Sequence, residues 1–481
     1  MNFELPNLMP MLPEMALLGM ICFILIADLF IRDENRSVTF AMSQIAVAIT
    51  AVCILGTSGP SVSLFGDMFT RDAMADILKL MICLSVEIMF VYSSSYLKTR
   101  NLFRGEYFVL TLFAMLGMMV LISAGHFLTL YLGLELMALS FYAMIALDRD
   151  NARATEAAMK YFVLGALASG LLLYGMSMLY GVTGSLDIAK VASVIDSGQV
   201  TEGAPLLFGL VFVVAGLAFK IGVVPFHMWI PDVYEGAPTP VALFIGTAPK
   251  FAAFAFFMRL LIGGLHGLVA DWQQMLVIMA VLSILVGNVT AIAQTNFKRM
   301  LAYSTIAHMG FVLLGILSGS IAGYSAAMYY MAVYVIMSLG AFGMILLLAR
   351  AGFESDMLED FKGLNQRNPW YAFMLLLVMF AMAGIPPTVG FYAKLAVLQA
   401  ALQAGYVWLT VLAVLLSVIG AFYYLRIVKL MYFDEPKQIA PIAPRVDVRL
   451  VMSLNGLAML VLGLMPQSLM SLCTYSIMHS F

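Results

Sequence analysis

Three lysines and one glutamate stand inside apolar runs long enough to cross a membrane: Lys220 in LLFGLVFVVAGLAFKIGVV, Lys250 in VALFIGTAPKFAAFAFF, Lys394 in GIPPTVGFYAKLAVLQAAL and Glu135 in LTLYLGLELMALSFYAM. None of these lysines has an acid within four residues. A charge at mid-bilayer costs roughly 2.5 to 3.5 kcal/mol on insertion scales, so such residues usually face a bundle interior and tend to be functional. Burial makes an ammonium easier to deprotonate and a nearby carboxylate opposes this, so a Glu/Lys pair can be switched between holding and releasing a proton. A structural bridge to an acid on another helix is the competing reading.

Other buried candidates carry plainer alternatives. Lys160 follows Glu156 by four residues, where an ordinary helical ion pair competes. Lys79 sits one turn from Asp76, and a local pair with snorkelling accounts for it. Glu87, in LSVEIMFVY, falls within a span with no role that the sequence assigns. His227 in VPFHMW and His308 in YSTIAHMGF could relay protons because imidazole titrates near neutrality, against the commoner role of a satisfied structural histidine.

The elements that position these groups are interrupted. Pro225 follows Lys220 by five residues, Pro249 precedes Lys250, and Gly384, Pro386 and Pro387 precede Lys394. A proline inside a helix removes one hydrogen bond and frees the carbonyl four residues earlier. Within a bilayer that carbonyl must be satisfied by protein or water, so a broken helix at that depth generally lines a cavity.

Composition fixes the setting. With 63% hydrophobic and 11% charged residues over 481 positions, the chain is an integral membrane protein, all-α and polytopic. About fourteen spans are expected, centred near residues 20, 47, 85, 115, 136, 165, 215, 250, 283, 308, 336, 385, 418 and 458. The longest polar breaks, near 181–204, 351–369 and 434–448, leave no room for a soluble domain. The first charge is Glu4 and the first apolar run already has spanning length, so the N-terminus reads as uncleaved. The four cysteines lie singly in apolar runs, with no pair spaced for zinc or an iron–sulfur cluster, and no phosphate-cradling glycine motif is present. A net charge of -2 without a basic surface patch argues against nucleic acid.

Loops after odd-numbered spans hold 17 lysines and arginines, against only Arg71, Lys190 and Arg259 after even ones. The positive-inside rule puts the odd loops on the cytoplasmic or matrix side and both termini opposite. Breaks in the seventh and twelfth spans are five helices apart, which suggests two inverted five-helix repeats over 107–262 and 271–433. An N-terminal three-helix segment, 1–106, and a C-terminal helix, 434–481, flank them.

At these residues the chain resembles the antiporter-like membrane subunits of respiratory complex I, shared with multisubunit cation/proton antiporters. The likeness rests on the core VPFHMWIPD from Val224 to Asp232, on YLGLELMALSFYAM, on AQTNFKRMLAYSTIAHMGF and on AGIPPTVGFYAK. The run PDVYEGAPTPV looks like the N-subunit branch of NADH-quinone oxidoreductase, and so does lysine at 394. The resemblance implies a proton-translocating subunit whose chain holds no redox centre, with FMN, iron–sulfur clusters and quinone in other subunits. It makes Glu135 and Lys220 the pair of a first half-channel, Lys250 the connecting lysine and Lys394 the lysine of a second, with Lys160, His227 and His308 as possible relays. It implies neighbouring antiporter-like membrane subunits as partners. The setting it suggests is a bacterial inner membrane, or the mitochondrial one, with both termini periplasmic. A subunit of a multisubunit cation/proton antiporter is the alternative.

Overall fold

The protein is described here from a computed structural model, over residues 7–198, 203–437, 442 and 444–481. Glu4 and parts of the loops near 181–204 and 434–448 lie outside the described residues.

Two apolar helices, α1 (Leu12–Asp28) and α2 (Ser37–Thr57), open the chain. A short antiparallel hairpin follows, β1 (Val62–Leu64) and β2 (Phe69–Arg71), paired Val62 to Arg71. It is a small departure from the all-helical expectation. Next come α3 (Ala73–Thr99), α4 (Gly105–Ile122), α5 (Phe127–Ile145), α6 (Ala152–Thr183) and the short α7 (Ile188–Asp196). The central stretch holds α8 (Gly203–Ile221), α9 (Trp229–Gly236), α10 (Thr239–Ile245) and α11 (Pro249–Phe257). Then follow α12 (Val269–Ile292), α13 (Phe297–Leu317), α14 (Ile321–Leu348) and a single turn, α15 (Leu364–Arg367). The chain closes with α16 (Pro369–Ala383), α17 (Val389–Gln403), α18 (Val407–Phe433), α19 (Val446–Leu464) and α20 (Pro466–Met478).

Among the described residues, twelve helical stretches are long and apolar enough to cross a membrane. Two expected spans differ from these. Helix α3 is 27 residues long and carries Asp76, Lys79 and Glu87 along its length. Helices α16 and α17 have 15 residues each, about 22 Å, so only the pair together covers the roughly 30 Å hydrocarbon layer.

Helix starts follow their sequence signals. Asp72, Asn151, Asn296, Ser320 and Asn368 each cap a helix by accepting from a backbone N–H two or three residues on. His126 caps α5 in the same way, its Nδ1 accepting from Leu128 N at 3.2 Å. Residues 239–264, apolar around most of their circumference, are almost entirely buried and form the centre of the bundle, with α13 and α14 packed nearly as deeply. Helices α1, α2, α6, α12, α18 and α19 keep large apolar side chains such as Phe23, Val52, Leu167 and Val418 exposed on their outer faces. In a protein of this hydropathy those faces meet lipid.

Three basic residues are placed otherwise than their sequence neighbourhoods suggest. The Lys79 ammonium pairs with Glu14 of α1 at 2.5 Å rather than with Asp76, and both partners are buried. Arg259, expected in a loop, lies buried in a π-helical turn, where Nη1 meets Asp72 Oδ2 at 2.5 Å and Nε donates to Ile122 O at 3.0 Å. Lys298, one of the 17 basic residues expected in the loops after odd-numbered spans, is buried at the start of α13 and donates to Ala237 O at 3.3 Å. Each anchors one helix to another, as a buried charge must be paired or hydrogen-bonded.

Candidate functional site

Two interruptions of the bundle are built alike. Helix α8 ends at Ile221, and Gly222 takes φ +84°, with Gly222 N and Val223 N both bonded to Ala218 O at 2.9 and 3.1 Å. Helix α16 ends at Ala383, and Gly384 takes φ +83°, with Gly384 N and Ile385 N both bonded to Phe380 O at 2.9 Å. The left-handed conformation favours glycine in each case. A proline stands three residues further on, Pro225 and Pro387, and lacks the N–H that would bond the carbonyl four residues back. Those carbonyls belong to Ile221 and Ala383.

Both are taken up by lysines. Lys250 Nζ donates to Ile221 O at 3.3 Å, and Lys394 Nζ donates to Ala383 O at 2.8 Å and to Ser417 Oγ at 2.9 Å. Gly384 is needed a second time here, because a Cβ on it would lie 2.9 Å from Lys394 Cδ. The lysines sit differently about the two breaks. Lys220 precedes the first on α8 and Lys394 follows the second on α17, while Lys250 reaches the first break from the next span. That span is itself interrupted between α10 and α11, with Lys250 in the first turn of α11.

Lys220 and Lys250 line one small cavity of about 20 Å³, with Tyr161, Trp229 and Met137 in its wall. That is room for one water, and two ammonium groups give such a water its polar partners. Lys220 Nζ is buried with no hydrogen-bond partner among the described residues. Glu135 makes no ion pair with it, although the field of the carboxylate reaches it, and Glu135 Oε1 accepts from Ser169 Oγ at 2.5 Å. Helix α5, which carries Glu135, is set against α4 where Gly117 and Gly133 face each other: a Cβ on Gly133 would meet Leu121 N at 2.6 Å.

A wider opening lies outside this cavity. Lys160, Glu156, Asp232, Glu235 and Arg299 border a surface pocket of about 170 Å³. Lys160 is half-exposed and pairs at 2.8 Å with both Glu156 and Asp232, while Arg299 pairs at 2.9 Å with Asp232 and Glu235. The PDVYEG run thus ties α9 to α6 and α13. Tyr161 and Trp229, one and three residues from Lys160 and Asp232, stack at 4.7 Å and belong to the inner cavity wall.

His308 is buried among hydroxyls. Its Nδ1 lies 2.7 Å from Tyr330 Oη and its Nε2 3.0 Å from Tyr424 Oη, which is also 2.5 Å from Ser304 Oγ. Thr305 and Tyr334 hydroxyls meet at 2.7 Å one residue away. The field of Lys394 reaches the imidazole. The sequence singles out His308 but not these tyrosines, which reach it from two other helices and carry no local signal of their own. His227 lies half-buried in the turn after α8, its Nδ1 without a partner among the described residues and unconnected to Lys220. Glu87 faces α2, near Gln44.

Residues 124–420 match the family described as NADH:quinone oxidoreductase/Mrp antiporter, TM. A NADH-quinone oxidoreductase subunit N of Thiobacillus denitrificans is 61% identical over 482 residues, covering all of both chains. The chain belongs to the NADH-quinone oxidoreductase subunit N family. A chain of respiratory complex I from Thermus thermophilus, solved with bound aureothin, superposes with a TM-score of 0.82 at 30% identity, over 95% of this chain and 98% of that one. A chain of the Mrp complex from Dietzia sp. shares the fold, with a TM-score of 0.83 at 21% identity over 98% and 96% of the two chains. Subunit N membership separates this chain from the antiporter branch of the wider family, and it is a multi-pass membrane protein with the antiporter-like helical fold.

Proposed function

We propose that this chain, as a membrane subunit of NADH-quinone oxidoreductase, carries protons along Glu135, Lys220, Lys250, the His308 cluster and Lys394, coupling quinone reduction elsewhere in the complex to proton pumping. The observation that supports this most strongly is the use of the two proline-freed carbonyls. Ile221 O and Ala383 O, each left without a helical donor, both hold a lysine from inside a span, Lys250 buried and Lys394 partly buried.

In the first half, the mouth at Lys160 and Asp232 supplies protons, and Tyr161 and Trp229 separate it from the cavity. Two ammonium groups around one water repel each other, so the cavity favours one proton shared between Lys220 and Lys250. The Glu135 carboxylate draws it toward Lys220; a conformational or charge change that weakens this pull passes it to Lys250. In the second half, imidazole and phenol hydroxyls around His308 can each donate and accept, which is what a relay toward Lys394 requires. The two alike breaks support inverted repeats over 107–262 and 271–433. The basic loops lie in the cytoplasm, both termini in the periplasm, and other antiporter-like subunits flank this one in a bacterial inner membrane. FMN, iron–sulfur clusters and quinone belong to other subunits.

The test is NADH-driven proton pumping by the reconstituted complex carrying Glu135→Ala or Lys220→Ala. Assembly persists and coupled quinone reduction slows, because each change removes a charge from the interior rather than a packed apolar side chain. Unaltered pumping and turnover in both variants would refute the path.

A further inference from the structure

Ala157, Tyr161, Gly165 and Ser169 follow one another at one-turn spacing along a buried face of α6. Ala157 borders the surface pocket that holds Lys160 and Asp232. The other three meet α5. On that helix Tyr142 and Glu135 are seven residues apart, two turns, and so share a face. Tyr142 meets Tyr161 edge-on, with ring centroids 4.9 Å apart at 73°. Its hydroxyl lies over Gly165, where a Cβ would overlap it. Tyr142 Oη is buried, with no hydrogen-bond partner among the described residues. Ser169, 5% exposed, donates from Oγ to Glu135 Oε1 at 2.5 Å.

Glycine destabilises a helix interior relative to alanine, so its place at 165, inside a 32-residue helix, calls for a reason. The phenol hydroxyl that fills the space of its missing side chain supplies one. A buried hydroxyl without a partner is rare in native structures. Ser169 stands one turn beyond Gly165, about 6 Å further along α6, a gap that one water spans with two hydrogen bonds. A phenol can give a proton on one side while taking one on the other, and ends unchanged. Glu135 makes no ion pair among the described residues, so the charge-assisted bond from Ser169 fixes where its carboxylate stands. Stacked Tyr161 and Trp229 close the direct way from the pocket to the lysine cavity, whereas the seam between α5 and α6 runs beside them.

Granting the proton path proposed above, we propose that Glu135 is loaded from the Lys160–Asp232 pocket along the α5–α6 seam, with the Tyr142 hydroxyl as relay and Ser169 as the residue that positions the receiving carboxylate. One proton reaches the phenol from the pocket side, the phenol passes its own to the bridging water, and that water passes one to Glu135, which ends neutral. Gly165 keeps the relay hydroxyl in line.

The test is NADH-driven turnover and pumping by the reconstituted complex carrying Tyr142→Phe or Ser169→Ala, beside Glu135→Ala and Lys220→Ala, in H2O and in D2O. Tyr142→Phe keeps the ring and its contacts, so the complex assembles. Coupled turnover should fall about tenfold, less than the loss of a full acid–base group because water can stand in for the hydroxyl. Its solvent deuterium isotope effect should rise, because a proton step has become limiting. Ser169→Ala should also slow turnover about tenfold, the worth of one hydrogen bond to a charged group. A slower Tyr142→Phe complex with an unchanged isotope effect would show a packing role and overturn the relay. Wild-type rates in Tyr142→Phe and Ser169→Ala, with Glu135→Ala and Lys220→Ala still slow, would overturn the seam and leave the lysine path standing. Wild-type rates in all four would sink the path and the seam together.

Discussion

Replacing Lys250 by methionine separates its chemistry from its packing. Methionine has nearly the same length, so the core around this 1% exposed side chain stays filled. The lost hydrogen bond to Ile221 O is long, 3.3 Å, and a bond from a charged donor contributes about 1.5–3 kcal/mol net, the lower end applying at this length. Removing a buried charge offsets that loss, so the variant complex should assemble at the wild-type level. Proton transfer through the cavity loses its acceptor, and a positioned acid–base group contributes about 10² to 10⁴ in rate. Coupled NADH:quinone reduction in proteoliposomes should therefore fall by about a hundredfold, with dye-reported acidification falling alongside it. Lys250→Arg keeps the charge but does not deprotonate in a protein, and it should fail in the same way. Pumping by the arginine variant at the wild-type rate would show that Lys250 need not release a proton. Normal pumping by the methionine variant would remove Lys250 from the path altogether.

Tyr424→Phe strips the hydroxyl shared by His308 and Ser304, leaving buried polar groups unpaired; a loss of about 1–3 kcal/mol in thermal-melt stability and slower pumping are expected. Gly133→Ala places a methyl 2.6 Å from Leu121 N and drives α5 off α4, so the yield of assembled complex, measured on native gels, should drop together with activity. His126 lies between the spans Gly105–Ile122 and Phe127–Ile145, and burial, opposed by Asp187 and helped by Lys190, lowers its pKa. The unfolded chain therefore binds this proton first, so stability falls as pH drops below the ordinary histidine value near 6.5, where the protonated Nδ1 can no longer accept from Leu128 N. His126→Asn keeps a capping acceptor without titrating and should flatten the melting-temperature profile between about pH 7 and 5.

How much of this was legible beforehand depended on distance along the chain. A lone lysine in an apolar run and a proline a few residues away are local signals, and they pointed to Lys220, Lys250, Lys394 and the freed carbonyls four residues before Pro225 and Pro387. The spans were legible for the same reason, since hydropathy is summed over neighbours. Partners drawn from remote segments were not. Lys79 has Asp76 one turn away, yet its true partner, Glu14, comes from α1. Tyr330 and Tyr424 approach His308 from two other helices, and a tyrosine in an apolar run looks the same whether it packs or hydrogen-bonds. Lys298 and Arg299 are adjacent in sequence, but a helix turns about 100° per residue, so one points into the bundle and the other to the surface pocket.

Lys250 and Lys394 each take a main-chain oxygen of a break as an acceptor. A carboxylate partner can be deleted by a single base change, whereas Ile221 O and Ala383 O persist through any substitution at 221 or 383 that keeps the turn. Both side chains are buried, so apolar replacements of similar size at 221 and 383 should keep the lysine's acceptor, while the glycine and proline that shape each turn stay fixed. The docking points are heritable as backbone shape rather than as side-chain identity.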